Sequence, residues 1–107
     1  MESVFGPTLN TPPVITPWGY ADNIESVAEG IDFVSTPSHG GYRLSDDREE
    51  QVQKAFPGFK PFAGNWKGWY EEDCDWCVVV LTFPTLFIDD EIAQARKMRD
   101  WQIKRKV

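Results

Sequence analysis

The chain has 107 residues and a mass of 12.3 kDa, 41% of its residues are hydrophobic, and its net charge is -6. This length accommodates one hydrophobic core, so a second independent domain is excluded. The longest apolar run, Cys77 to Phe83, is far shorter than the roughly 20 residues that cross a membrane, and the acidic start lacks the features of a secretory signal. Two cysteines are too few for a disulfide framework, so we expect a cytoplasmic protein.

The charge is unevenly distributed along the chain. Residues 1–95 carry 16 acidic and 5 basic side chains, whereas residues 96–107 carry 1 acidic and 6 basic ones. An acidic body repels the phosphates of nucleic acids and attracts basic protein surfaces. We therefore expect a protein partner and no direct nucleic-acid binding by the body. The basic end has two interpretations, the cationic last turns of a helix or a short contact with a polyanion.

The first half of the chain predicts an extended arm followed by strands. Four prolines among the first 18 residues disfavour a helix, so we assign residues 1–13 to an arm and residues 14–107 to a single α+β domain. Short alternation of apolar and polar residues on both sides of Glu29 and Gly30 predicts a β-hairpin, and Tyr42–Leu44 predicts a third strand. The expected sheet is antiparallel and three-stranded.

The second half predicts two to three helices packed on that sheet. Ser45 followed by an acidic turn predicts a helix from Asp46 that ends at Pro57. The run from Trp69 to Phe83 is ambiguous: its length, its early acids and its aromatic stripe favour a helix, and a strand over Cys77–Thr82 is the alternative. The last helix is predicted over residues 92–106 after an acidic start at 89–91, and it is the longest.

His39 is the only histidine, and it lies in the sequence Ser38-His39-Gly40-Gly41. Such a residue can act as a general base, a metal ligand or a partner contact, or it can be a loop histidine held by a backbone hydrogen bond. The sequence offers no recognisable nucleophile and orienting group to accompany it. We therefore assign no catalytic residue.

Cys74 and Cys77 have the spacing of half a zinc site or of a redox pair. A structural zinc site uses four ligands, and His39 is the one further strong ligand in the chain. Neighbouring carboxylates would raise the pKa of either thiol and so weaken a redox role. We expect both cysteines to be buried or half-buried, and we expect no metal and no cofactor.

An acidic cluster, Glu71, Glu72 and Asp73, surrounds the first of these cysteines together with Asp75. These carboxylates could bind a hard cation or perform acid and base chemistry, although charge at a solvated helix N-terminus is the more ordinary role. Together with the other acidic runs, they could also imitate the phosphates of a nucleic acid towards a protein that binds it.

Two stretches are distinctive, Ser-Thr-Pro-Ser-His-Gly-Gly-Tyr-Arg-Leu-Ser over residues 35–45 and Gly-Trp-Tyr-Glu-Glu-Asp-Cys-Asp-Trp over residues 68–76. The chain resembles, over roughly residues 16–88, an uncharacterised family of small proteins and domains from bacteriophages, plasmids and proteobacterial genomes. That resemblance implies a setting in which small acidic proteins often antagonise host defence. The implied function is an anti-CRISPR-like inhibitor that binds a host defence protein or ribonucleoprotein complex.

Three functional hypotheses follow. The first is inhibition by contact through an acidic, aromatic-edged surface; its candidate contact residues are Ser38, His39, Tyr42, Arg43, Trp69, Glu71, Glu72, Asp73 and Asp75. The second is a small hydrolase or metal-dependent enzyme that uses His39 with Glu71, Glu72 or Asp73 in one pocket. The third is a homodimer, which would display an exposed apolar stripe on the last helix.

Overall fold

The computed structural model describes residues 13–61 and 66–105, and the predicted arm lies outside them except for Pro13. The described chain begins with a hairpin of two short antiparallel strands, β1 (Ile15–Thr16) and β2 (Gly19–Tyr20). The Thr16 hydroxyl donates to the Gly19 carbonyl at 2.7 Å and accepts from the Trp18 amide at 3.0 Å. One buried threonine therefore holds the turn that places Trp18.

The main sheet has four antiparallel strands in chain order, β3 (Asn23–Ala28), β4 (Ile31–Ser35), β5 (Gly40–Leu44) and β6 (Trp69–Glu71). The hairpin predicted around Gly30 is confirmed, and that glycine has the left-handed φ of 82° that such a turn favours.

The prediction of three strands is wrong by one, because the start of the expected helix at Trp69 is the strand β6. Its pairing with β5, Tyr70 opposite Tyr42 and Trp69 opposite Arg43, joins residues distant in sequence. The local acidic pattern carries no information about that partner strand.

Three α-helices follow the predicted order, α1 (Asp46–Ala55), α2 (Trp76–Thr82) and α3 (Asp89–Arg105), with a 3₁₀ turn at Pro84–Leu86 before α3. The Ser45 hydroxyl accepts from the Arg48 amide at 3.3 Å, which is the N-cap that the sequence predicted. The ambiguous segment 77–82 is helical. No helix in the described ranges is long and apolar enough to cross a membrane.

The helices pack on one face of the sheet and form the core. Strand register places Ile31, Leu44 and Tyr70 on this face, because directly opposed residues of paired strands point to the same side. The buried cluster consists of Ile31, Leu44, Val52, Tyr70, Cys77, Val78, Val79, Val80, Phe83 and Ala95. The one phenol among them, Tyr70, donates its hydroxyl to the buried Glu49 carboxylate at 2.5 Å, which ties α1 to β6.

The other face of the sheet is covered by the Trp18 side chain from the N-terminal hairpin. Val34 and Gly41 are opposed on this face, and both are buried. The Trp18 ring lies edge-on to Trp69 with 5.8 Å between centroids. The hairpin therefore closes a second, smaller packing layer, and the large ring of Trp18 supplies much of its apolar area.

Candidate functional site

A tight turn over Thr36–His39 joins β4 to β5 at one end of the sheet. The Thr36 hydroxyl donates to the His39 carbonyl at 2.9 Å and accepts from the His39 amide at 3.0 Å, and the Thr36 amide donates to the same carbonyl at 2.7 Å. Thr36 is buried, whereas Pro37, Ser38 and His39 are exposed. The backbone of the turn is thus fixed from inside, and its side chains face solvent.

The His39 ring is oriented by its own neighbour. Its Nδ1 lies 2.6 Å from the Ser38 carbonyl oxygen, and because a carbonyl oxygen can only accept, Nδ1 carries the proton. With Nδ1 as the donor, Nε2 is the ring nitrogen that remains for another contact. This matches the loop histidine held by a backbone hydrogen bond, with one nitrogen available for a contact.

A second turn, Glu71–Asp75, lies next to the first one. The Glu72 amide donates to the Gly40 carbonyl at 2.9 Å, so the residue after His39 in the chain is bonded directly to this acidic segment. The sequence left the relative position of the two motifs open. The structure brings them to the same end of the sheet.

Two carboxylates of the acidic turn are internal. Glu71 and Asp75 are each 5% exposed. The Glu71 Oε1 accepts the amides of Asp73 and Cys74 at 3.1 and 3.2 Å, and the Asp75 Oδ2 accepts the amide of Glu71 at 3.4 Å. These two carboxylates hold the turn in shape and face its interior, and their role as partner contacts stays a prediction. The carboxylates of Glu72 and Asp73 are exposed.

Burial raises the pKa of Glu71 above its ordinary value, and the nearby charge of Asp73 adds to this effect while the two backbone amides oppose it. A raised pKa is a property of many catalytic acids. Here both amides bond to the carboxylate, which reduces its freedom to transfer a proton. Among the described residues, no group of three or more histidine, cysteine, aspartate or glutamate side chains is placed to hold a metal ion.

The two cysteines are packed inside the protein, as the sequence predicted. Cys77 is buried and Cys74 is half-buried. The Cys77 sulfur lies 3.4 Å from the Cys74 carbonyl oxygen and 3.6 Å from the Gln102 Oε1, two acceptors within reach of its one proton. Burial raises the pKa of Cys77 to about 11 and also raises that of Cys74, with the carboxylates of Glu71 and Asp75 adding to the latter. Both thiols are therefore mostly protonated near neutral pH, which disfavours thiolate chemistry.

Arg43 and Trp69 lie on the hairpin-covered face of the sheet and are separate from the two turns. The Arg43 guanidinium bonds to the Asp32 carboxylate at 2.8 Å and lies 5.7 Å from the Trp69 ring centroid. Trp69 is buried between Trp18 and Trp66, and its role as a contact residue stays a prediction. Arg43 remains half-exposed, and its role as a contact residue stays a prediction.

Tyr42 lies on the helix-packed face, where Phe33 and Phe87 contact its ring with centroid distances of 5.2 and 6.0 Å. Burial raises its pKa, and the carboxylate of Glu91 on α3 raises it further. The ring is half-buried among aromatic side chains, so its principal contacts are internal. This alternation of faces along β5 separates Tyr42 from Arg43, its neighbour in the chain.

Sequence reasoning missed an open trough along α3, next to Trp76 at the start of α2. It has a volume of about 710 Å³ and contains neither His39 nor the acidic turn; its lining residues are Trp76, Asp90, Gln94, Lys97, Met98 and Trp101. The spacing of four, three and four residues between Asp90, Gln94, Lys97 and Trp101 was the available signal, since it places them along one helix face.

The chain belongs to the family described as a domain of unknown function (DUF7007), whose model matches residues 11–105. The matched residues span every described helix and strand. No curated protein and no solved structure matches the chain.

Proposed function

We propose that this family member binds and inhibits a host defence protein or ribonucleoprotein complex, in the manner of an anti-CRISPR protein in the host cytoplasm. The contact surface is the His39 rim, which consists of the exposed residues Ser38, His39, Glu72 and Asp73. One observation carries the proposal: the Glu72 amide bonds to the Gly40 carbonyl at 2.9 Å, so the two exposed motifs form one surface. The resemblance to phage and plasmid proteins supports the setting.

The rim has the properties that a specific contact needs. Its backbone is fixed by Thr36 on one side and by Glu71 on the other, so little conformational entropy is lost when a partner orders it. Neither exposed carboxylate, Glu72 or Asp73, forms an ion pair within the described part of the chain. Both are therefore available to a basic surface, where opposite charges accelerate association and select the partner.

A hydrolase or metal-dependent enzyme is the weaker hypothesis. It requires His39 and acidic side chains to converge in a pocket. Glu71 is committed to two backbone amides. The described hydrogen bond of the His39 ring is to the Ser38 carbonyl, and no described residue places a carboxylate against that ring.

The test is capture of partners from bacterial lysate with tagged protein at low and at high salt, followed by mass spectrometry. The rim variant Glu72→Lys/Asp73→Lys is compared with Glu25→Lys/Glu29→Lys, which makes the same charge change at exposed sites elsewhere. We expect a stoichiometric host complex that dissociates as salt rises, that the rim variant fails to capture and that the control retains. Capture that is insensitive to salt, or equal for both variants, would contradict the proposal.

A further inference from the structure

The trough on α3 has a partly apolar floor that is open to solvent. Trp101 is 53% exposed, while Trp76 and Met98 are half-buried beside it. Exposed tryptophan at the edge of a concave surface is typical of protein interfaces, where such side chains contribute most of the binding energy. The trough is wide open to solvent, so the surface of another molecule can reach these side chains.

The charges along this face are ordered. The first turn of α3 is acidic, with Asp89, Asp90 and Glu91, and its second half is mainly basic, with Asp100 as its one acid. The Arg99 guanidinium lies over the Phe56 and Phe59 rings and is not part of the trough, whose lining contains Asp90 and Lys97. At the trough itself, Asp90 lies towards the acidic end. Lys97 follows seven residues later, which is about 10 Å along the helix axis at about 1.5 Å per residue. Within the described residues, neither forms an ion pair, and Asp90 accepts a hydrogen bond from Gln94 at 2.9 Å.

This order of charges restricts the possible occupant. A uniformly basic partner is repelled by the second half of α3, and a uniformly acidic partner is repelled by the first half. The complementary surface is a helix with the opposite order, which is what a second copy of α3 presents when it runs antiparallel. Antiparallel helices also align their dipoles favourably, and a two-fold axis makes the contact self-complementary.

We propose that the trough is the interface of a symmetric homodimer. The α3 helices of two copies pack antiparallel, so that Trp101 of each copy is covered by the other and Lys97 of each faces the acidic first turn of the other. Lys97 and Asp90 then determine the direction of pairing, and the tryptophans supply the buried area. This inference does not depend on the proposed inhibitory function.

The experiment is sedimentation of the full chain from about 1 µM to about 1 mM, the range that spans weak and moderate dimers. The variants are Trp101→Ala, Asp90→Lys, Lys97→Asp and the double reversal Asp90→Lys/Lys97→Asp. We expect dimerisation of the native chain, a weakening of about tenfold or more in each single variant, and recovery to within about threefold in the double reversal. The matched control is Glu25→Lys, an exposed charge change outside the trough, which should leave dimerisation unchanged.

Circular dichroism of each variant verifies that α3 is retained, and recovery in the double reversal is a result that loss of folding does not produce. The proposal is overturned if the native chain stays monomeric throughout, or if the single charge reversals dimerise like the native chain. It is also overturned if the double reversal stays as weak as either single variant.

Discussion

Two turns meet at the same end of the sheet and differ in what holds them. The Thr36–His39 turn is held by one buried hydroxyl and leaves its remaining side chains in solvent. The Glu71–Asp75 turn is held by its own carboxylates, two of which are buried. A cluster of acidic residues in a sequence therefore does not predict an acidic surface, because two of the four carboxylates in this cluster are buried and hold the turn. Four substitutions test this comparison.

The largest effect is expected at Gly41, which lies next to the junction of the two turns and opposite Glu71 in the sheet. A methyl group there would lie against the Tyr70 carbonyl and 2.5 Å from the Trp18 ring. Because a backbone carbonyl has little room to move, Gly41→Ala should lower the free energy of unfolding by about 3 kcal/mol. Gly40→Ala is the control, since its methyl group would lie 3.1 Å from its nearest neighbours, and it should cost about 1 kcal/mol. Equal losses in urea denaturation would refute this.

Glu71→Ala should produce the next largest loss. It removes the acceptor of two backbone amides, those of Asp73 and Cys74, so we expect a loss of about 2 kcal/mol. The adjacent Glu72→Ala removes an exposed carboxylate and should change the free energy of unfolding by less than about 0.5 kcal/mol. Chemical denaturation of both variants measures the difference, and equal losses in the two would contradict the assignment of Glu71 as the residue that holds the turn.

Thr36→Val should have a smaller effect on the other turn. It keeps the shape of the side chain and removes the hydroxyl that bonds to His39, so we expect a loss of about 1 kcal/mol and faster amide hydrogen exchange at His39. Ser38→Ala, at an exposed position of the same turn, should leave both quantities unchanged. Unaltered exchange at His39 in Thr36→Val would mean that the hydroxyl does not hold the turn.

The smallest effect concerns pH. Because the pKa of Glu71 is raised in the folded state above its ordinary 4.5, the folded chain holds this proton more tightly than the unfolded chain. Ionisation of Glu71 therefore lowers the free energy of unfolding as the pH rises from 4.5 to the pKa of the folded state. Glu71→Gln keeps an acceptor oxygen and removes the titration, so stability relative to the native chain should increase over that window. A difference that is constant with pH would contradict the raised pKa.

Local patterns predicted much of the fold. The N-cap at Ser45, the hairpin at Gly30 and the last helix depend on neighbours in the chain, so each was accessible from the sequence. The strand β6 was not, because three residues between a glycine and an acidic turn carry little strand pattern. Its identity depends on pairing with β5, which is a tertiary effect that overrides local preference.

The same limit applies to the candidate site. The sequence identified both motifs, and their distinctive residues do meet at one end of the sheet. It assigned Glu71, Asp75 and Trp69 to the surface because charged and aromatic residues suggested contact. Their burial depends on where the chain turns after β6 and on Trp18, which comes from fifty residues earlier. The periodicity of residues within one segment predicts neither the position of this turn nor the contact with Trp18.

The side-chain Nε2 of Gln102, near the end of α3, donates to the Cys74 carbonyl at 2.7 Å. This hydrogen bond joins the helix of the proposed dimer to the segment that presents Glu72 and Asp73. A second copy that steadies α3 and a partner that steadies this segment would therefore share a coupling free energy, and thermodynamic linkage requires each to change the affinity for the other by the same factor. A higher protein concentration, which favours the dimer, would then change the affinity for the partner, and binding of the partner would change the dimerisation constant.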